Sequence, residues 1–161
     1  MKADFTVEQI IDQARAFQLR GNYSDALSIL GELGGELDRY QKVDIQILRS
    51  ISYTTLAQFR NAIRCLISAL SFSIESKNEK GAVECFYYIA EILYLQNNFQ
   101  EAQDLLKNLL KVYADSPQNN ILARFNYLLG ETIRILNSGN PEIIEKEALF
   151  LTRKGIRPLF R

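Results

Sequence analysis

The chain of 161 residues has no histidine, no tryptophan, two cysteines, three prolines and no net charge, its 19 Lys and Arg balancing 19 Asp and Glu. Each shortage removes a class of function. Without His, the commonest metal ligand is missing, and so is the one side chain that ordinarily titrates near neutrality. Cys65 and Cys85 are too few for a disulfide framework or a four-ligand zinc site. A balanced charge supplies no overall basic field for nucleic acid. No run approaches the roughly 18 apolar residues of a membrane span, and no apolar stretch follows Met1-Lys2-Ala3-Asp4-Phe5. No cofactor, no metal and no membrane partner is expected. What the chain does have is apolar residues, 47% of the total, enough for one domain with a sizeable core. Both cysteines sit in apolar helical stretches, so they are expected to be buried, reduced thiols of a soluble intracellular protein, cytoplasmic or nuclear.

A period of 3.6 residues dominates, broken at fairly even intervals by turn signals. It predicts helices over Thr6–Leu19, Ser24–Leu33, Asp38–Leu56, Phe59–Ser76, Glu79–Leu95, Phe99–Tyr113, Asn119–Asn137 and Pro141–Arg153. Breaks such as Arg20-Gly21-Asn22, Ala57-Gln58 and Gln96-Asn97-Asn98 are short enough to return each helix antiparallel on its neighbour. No strand-like alternation of any length occurs. The fold class is all-α, built of helix hairpins.

The hairpins repeat. Gly21-Asn22-Tyr23-Ser24-Asp25-Ala26, Ala57-Gln58-Phe59-Arg60-Asn61-Ala62 and Asn97-Asn98-Phe99-Gln100-Glu101-Ala102 align, with aromatics at Tyr23, Phe59 and Phe99 and alanines three residues on. The steps are 36 and 40 residues. Each aromatic opens a second helix and packs on the turn, while the Ala on the same face lets the first helix approach closely. A second small-residue column precedes the first: Ala14, Ser50 and Ala90, with Gly130 a further 40 residues along.

These columns resemble the tetratricopeptide repeat (TPR) family, with Leu128-Leu129-Gly130 similar to its Leu-Gly pair. The resemblance covers about residues 7–135 and implies a TPR-like α-solenoid of about three full repeats and an irregular fourth hairpin. The steps exceed the family's period of about 34 residues, the early Trp of the first helix is absent, and Gly139-Asn140-Pro141-Glu142 replaces the fourth aromatic and Ala. The repeat domain is placed at 1–153, with repeats at about 7–35, 43–76, 83–114 and 123–153 and a basic tail at 154–161.

In this family the first helices line a concave groove that takes protein segments. Aligned from Val7, Val43, Val83 and Ala123, the inward positions fall on Ile11, Asp12, Arg15 and Gln18, and then on Ile47, Leu48, Ile51 and Thr54. Later ones are Tyr87, Tyr88, Glu91 and Tyr94, then Arg124, Tyr127, Glu131 and Arg134. The resemblance implies a noncatalytic protein-interaction or scaffold module with a protein or peptide partner. The tyrosines are its leading contact residues because they give rigid area with a polar tip. Some of them equally suit the gaps between helices, and Glu131 with Arg134 suits an i,i+3 pair. Chaperone-binding repeats hold a terminal carboxylate with Lys and Asn; here Ile11, Arg15, Ile47 and Ile51 stand at those positions, which argues against that clamp.

Ile47, Leu48 and Ile51 in a row would make an apolar patch needing a cover: a partner helix, the N-terminal hairpin or a second copy of the chain. A homodimer also follows from a narrower similarity. The stretch Gln41-Lys42 through Ile63 resembles the N-terminal region of TPR scaffold subunits of the anaphase-promoting complex, a ubiquitin ligase assembly of the cell cycle.

Gly31-Glu32-Leu33-Gly34-Gly35 matches neither nucleotide-binding glycine pattern and reads as a helix end. Glu142 and Glu145 read as surface charge, and no enzyme is expected. Arg153, Lys154, Arg157 and Arg161, interleaved with Ile156, Leu159 and Phe160, could touch RNA or an acidic protein. Four charges are few, so nucleic acid is not the expected partner. An end this apolar suggests that a further element continues or docks there, as on an N-terminal piece of a scaffold.

Overall fold

The computed structural model describes residues 6–33, 36–113 and 119–138. It contains seven helices among the described residues and no strand: α1 (Val7–Leu19), α2 (Tyr23–Gly31), α3 (Arg39–Thr55), α4 (Phe59–Glu75), α5 (Glu79–Leu95), α6 (Phe99–Val112) and α7 (Asn119–Leu136). The hairpin architecture expected from the periodicity is present. The expected helix at Pro141–Arg153 and the tail at 154–161 lie outside the described residues. The chain forms two compact units, Met1–Tyr88 and Ile89–Arg161, with the boundary inside α5.

In the first unit two helix starts carry side-chain caps. Thr6 and Gln9 form a reciprocal capping box on α1, and Asp38 with Gln41 forms another on α3. Ile11 and Ala14 of α1, Ala26 and Leu30 of α2, and Ile45 and Leu48 of α3 make one buried cluster, with Val7, Phe17, Ile29, Leu33 and Leu37 against it. Arg49 Nη2 donates to the Leu30 carbonyl at 2.7 Å and so closes the carboxyl end of α2. Ser50 fills its helix crossing without exposed surface, its hydroxyl donating to the Ile47 carbonyl at 2.7 Å. At Gly81 a Cβ would lie 2.8 Å from each of Val43 Cγ1, Ser73 Oγ and Asn78 Nδ2, so the start of α5 touches α3 and α4 with no room for a side chain.

The second unit holds the last turns of α5 with α6 and α7. Helix α6 buries Ala102, Leu106 and Leu109 along one stripe, and α7 buries Ile121, Phe125, Leu128, Leu129 and Ile133. These spacings of three and four keep each stripe on a single helix face.

One turn geometry links the hairpins. Gly21, Ala57 and Asn97 have φ of 79, 57 and 62°, in the left-handed region, as does Lys77 at 54° between α4 and α5. The amide that follows each donates five residues back, as Asn22 to Phe17, Gln58 to Tyr53, Asn78 to Ser73 and Asn98 to Leu93. This satisfies carbonyls that the helix end would otherwise leave bare. A side chain at such a φ costs about 1 kcal/mol that glycine avoids. Ala57→Gly is therefore expected to stabilise the fold by about 1 kcal/mol, read as a higher urea midpoint at unchanged slope.

Candidate protein-interaction face

Along the first unit, the polar groove positions are bound to one another. Arg15 bridges Asp12 on its own helix at 3.0 Å and Asp44 on α3 at 3.3 Å. Gln18 Nε2 donates to the Leu48 carbonyl at 2.7 Å and to Ser52 Oγ at 2.9 Å. Glu8 accepts from Gln41 Nε2 at 2.7 Å; a backbone hydrogen bond first, and this bond second, hold its carboxyl below the usual range. These links brace α1 against α3. Asp44 and Ser52 were not singled out from sequence. Asp44 is the second position of its repeat, so extending the same alignment by one residue would have found it.

The aliphatic stripe needs correction. Ile47 and Leu48 are each only 6% exposed, and Ile51 is half-buried. Leu48 belongs to the core shared with α1 and α2, and so does Ile11. The N-terminal hairpin, one of the covers open to the stripe, packs on Leu48, and Ile47 is interior as well, so these two are not contact residues for a partner. Tyr87 is likewise 7% exposed, while Tyr88 is half-buried and meets it edge-on, ring centroids 5.3 Å apart. Of that tyrosine cluster, Tyr87 fills the interior.

The second unit presents a different face. Tyr127 is 56% exposed in mid-α7. Glu131 and Arg134 follow at the same-face spacings of four and seven and pair at 2.8 Å. Glu131 is the larger cause, first as hydrogen-bond partner and then as charge, that raises the Arg134 pKa; Tyr94 and Tyr127 add to it, which puts both phenols within electrostatic reach of the guanidinium. Tyr94 is half-buried and held twice: its ring meets Phe99 edge-on at 5.4 Å, and its carbonyl accepts from Asn97 in the turn. Arg124 is exposed one turn before Tyr127, and Glu91 is half-buried on α5. Of the inward positions read from sequence, Tyr94, Tyr127 and Glu131 are the ones that act on Arg134.

The aromatic and small-residue columns are placed by the hairpins. Ala14, Ala26, Ser50, Ala62, Ala90 and Ala102 have no exposed surface and Gly130 is buried; Tyr23, Phe59 and Phe99 are half-buried beside their turns.

The cysteines offer no reactive centre. Cys85 is buried, and burial, with the charge of Glu84 adding to it, pushes its thiol up to about 12; burial also raises Cys65, against the opposing charge of Arg49. An unfolded cysteine ionises near 9.0, so above that pH the unfolded chain releases a proton that the native Cys85 keeps. Stability is expected to fall as pH rises from about 9 toward 12, and thiolate absorbance in the native protein should lag that of the denatured chain. Among the described residues no group of three His, Cys, Asp or Glu could hold a metal, and no helix is long and apolar enough to cross a membrane.

Comparison with curated proteins and with solved structures gives no match. The tetratricopeptide repeat family model matches residues 84–116, the segment of α5, its turn and α6. That repeat is a non-catalytic fold, and domains built from it bind protein partners. The matched hairpin is preceded by two others that share its turn geometry, so the segment 84–116 is similar to a tetratricopeptide repeat and the described residues have an all-α, TPR-like solenoid fold.

Proposed function

We propose that this chain is a noncatalytic interaction module that takes a segment of a protein partner on the face formed by Tyr94, Tyr127, Glu131 and Arg134. One observation carries the reading: Tyr127 exposes more than half its surface on a helix whose opposite side is packed, beside an ion pair that stays in water. An aromatic held so by the fold adds contact area at little entropic cost. Two protonated, unpaired thiols suit an intracellular protein.

Assembly through a homodimer has two grounds in the sequence, the similarity of residues 41–63 to anaphase-promoting complex subunits and an exposed Ile47–Leu48–Ile51 stripe. The burial of the stripe's first two members takes the second ground away. The RNA reading rests on residues 153–161, outside those described.

Affinity capture from cell extract, quantified by mass spectrometry on wild type and Tyr127→Ala in parallel, tests the module reading. Partners lost at least tenfold on the substitution are expected, corresponding to about 1.4 kcal/mol or more. Capture that is equal for both proteins would reject this face.

A further inference from the structure

The charge arrangement on α7 says what kind of segment fits, provided the face described above is the binding face. Both hydrogen bonds of Arg134 end on one carboxylate oxygen, Glu131 Oε2: Nε at 3.3 Å and Nη2 at 2.8 Å. Among the described residues, Arg134 Nη1 and Glu131 Oε1 have no hydrogen-bond partner, and the two side chains are 52% and 24% exposed. The pair therefore offers an outward donor and an outward acceptor while carrying no net charge. A partner carboxylate on Nη1 would sit beside the like charge of Glu131, on a guanidinium that Glu131 already neutralises. A partner ammonium meets the same obstacle from Arg134. A peptide unit meets neither, because its C=O suits Nη1 and its N–H suits Oε1.

We propose that Glu131 and Arg134 form a neutral main-chain clamp for an uncharged, extended protein segment, one of whose apolar side chains rests on Tyr127. The clamp reads the backbone, and the exposed ring four residues earlier reads the side chain. It differs from a carboxylate clamp, which keeps its cations unneutralised.

The test is selection of a random peptide library displayed on phage against the full chain, with clones then sorted by whether Tyr127→Ala abolishes binding. Tyr127-dependent clones are expected to have segments of near-zero charge, and their affinity should change less than about twofold between roughly 50 and 500 mM salt. Selection on Glu131→Gln, which unmasks the guanidinium, should move toward acidic sequences, and selection on Arg134→Gln toward basic ones. Tyr127-dependent clones that are uniformly acidic or basic on wild type would overturn the neutral clamp while leaving the face itself standing. A library that yields no Tyr127-dependent clone would overturn the binding face, and the clamp with it.

Discussion

Phe125→Ala is expected to remove about 3–5 kcal/mol of stability. Phe125 has no exposed surface and lies on the side of α7 that also buries Ile121, Leu128, Leu129 and Ile133. Truncating it takes a whole ring from water-free surroundings and leaves a cavity that a close-packed interior fills poorly. Urea denaturation measures the loss. Tyr127, two residues along, supplies the control: it faces outward, so Tyr127→Ala should stay within about 0.5 kcal/mol of wild type while losing its partner. A Phe125→Ala protein as stable as wild type would mean that α7 is not packed as described. A strongly destabilised Tyr127→Ala would mean that its ring is structural.

Ile47→Asp is expected to destabilise the first unit by roughly 3–5 kcal/mol, with no change in association as the primary event. An aspartate at a position 6% exposed loses its hydration and gains no cation in return, and the aliphatic contacts of Ile47 go with it. Circular dichroism during urea titration should show an early loss of helix. Were Ile47 instead on a dimer surface, helicity would persist and light scattering would report a halved mass.

The contrast between those two positions shows how far sequence carries. Helix positions were legible because apolar period and turn signals agree along the chain; α1, α4, α5 and α6 begin or end within a residue or so of where the pattern puts them. The columns Ala14, Ser50, Ala90 and Ala26, Ala62, Ala102 were legible because close helix crossings admit few side chains. Exposure was not. The inward position of Leu48 follows from repeat alignment, but α1 and α2 pack directly upon it, and that contact involves residues about 20–35 positions away that no local pattern reports. The Arg134–Glu131 pair was readable from spacing alone, whereas Arg15–Asp44 needs two repeats placed side by side. Gly81 shows the same limit: nothing around it in the chain marks it, and its meaning comes from Val43 and Ser73.

The braces between α1 and α3 also bear on how the protein is made. Those from Glu8, Arg15 and Gln18 join residues 29 to 34 apart, and Arg39 reaches the Glu75 carbonyl over 36. Every one of them can close once the chain has grown just past residue 75. Local closure of this kind favours rapid folding, and amino-terminal regions fold first as a polypeptide leaves the ribosome. The first hairpins can therefore be braced while α6 and α7 are still being synthesised, and the Tyr127 face is the last of the described surfaces to appear.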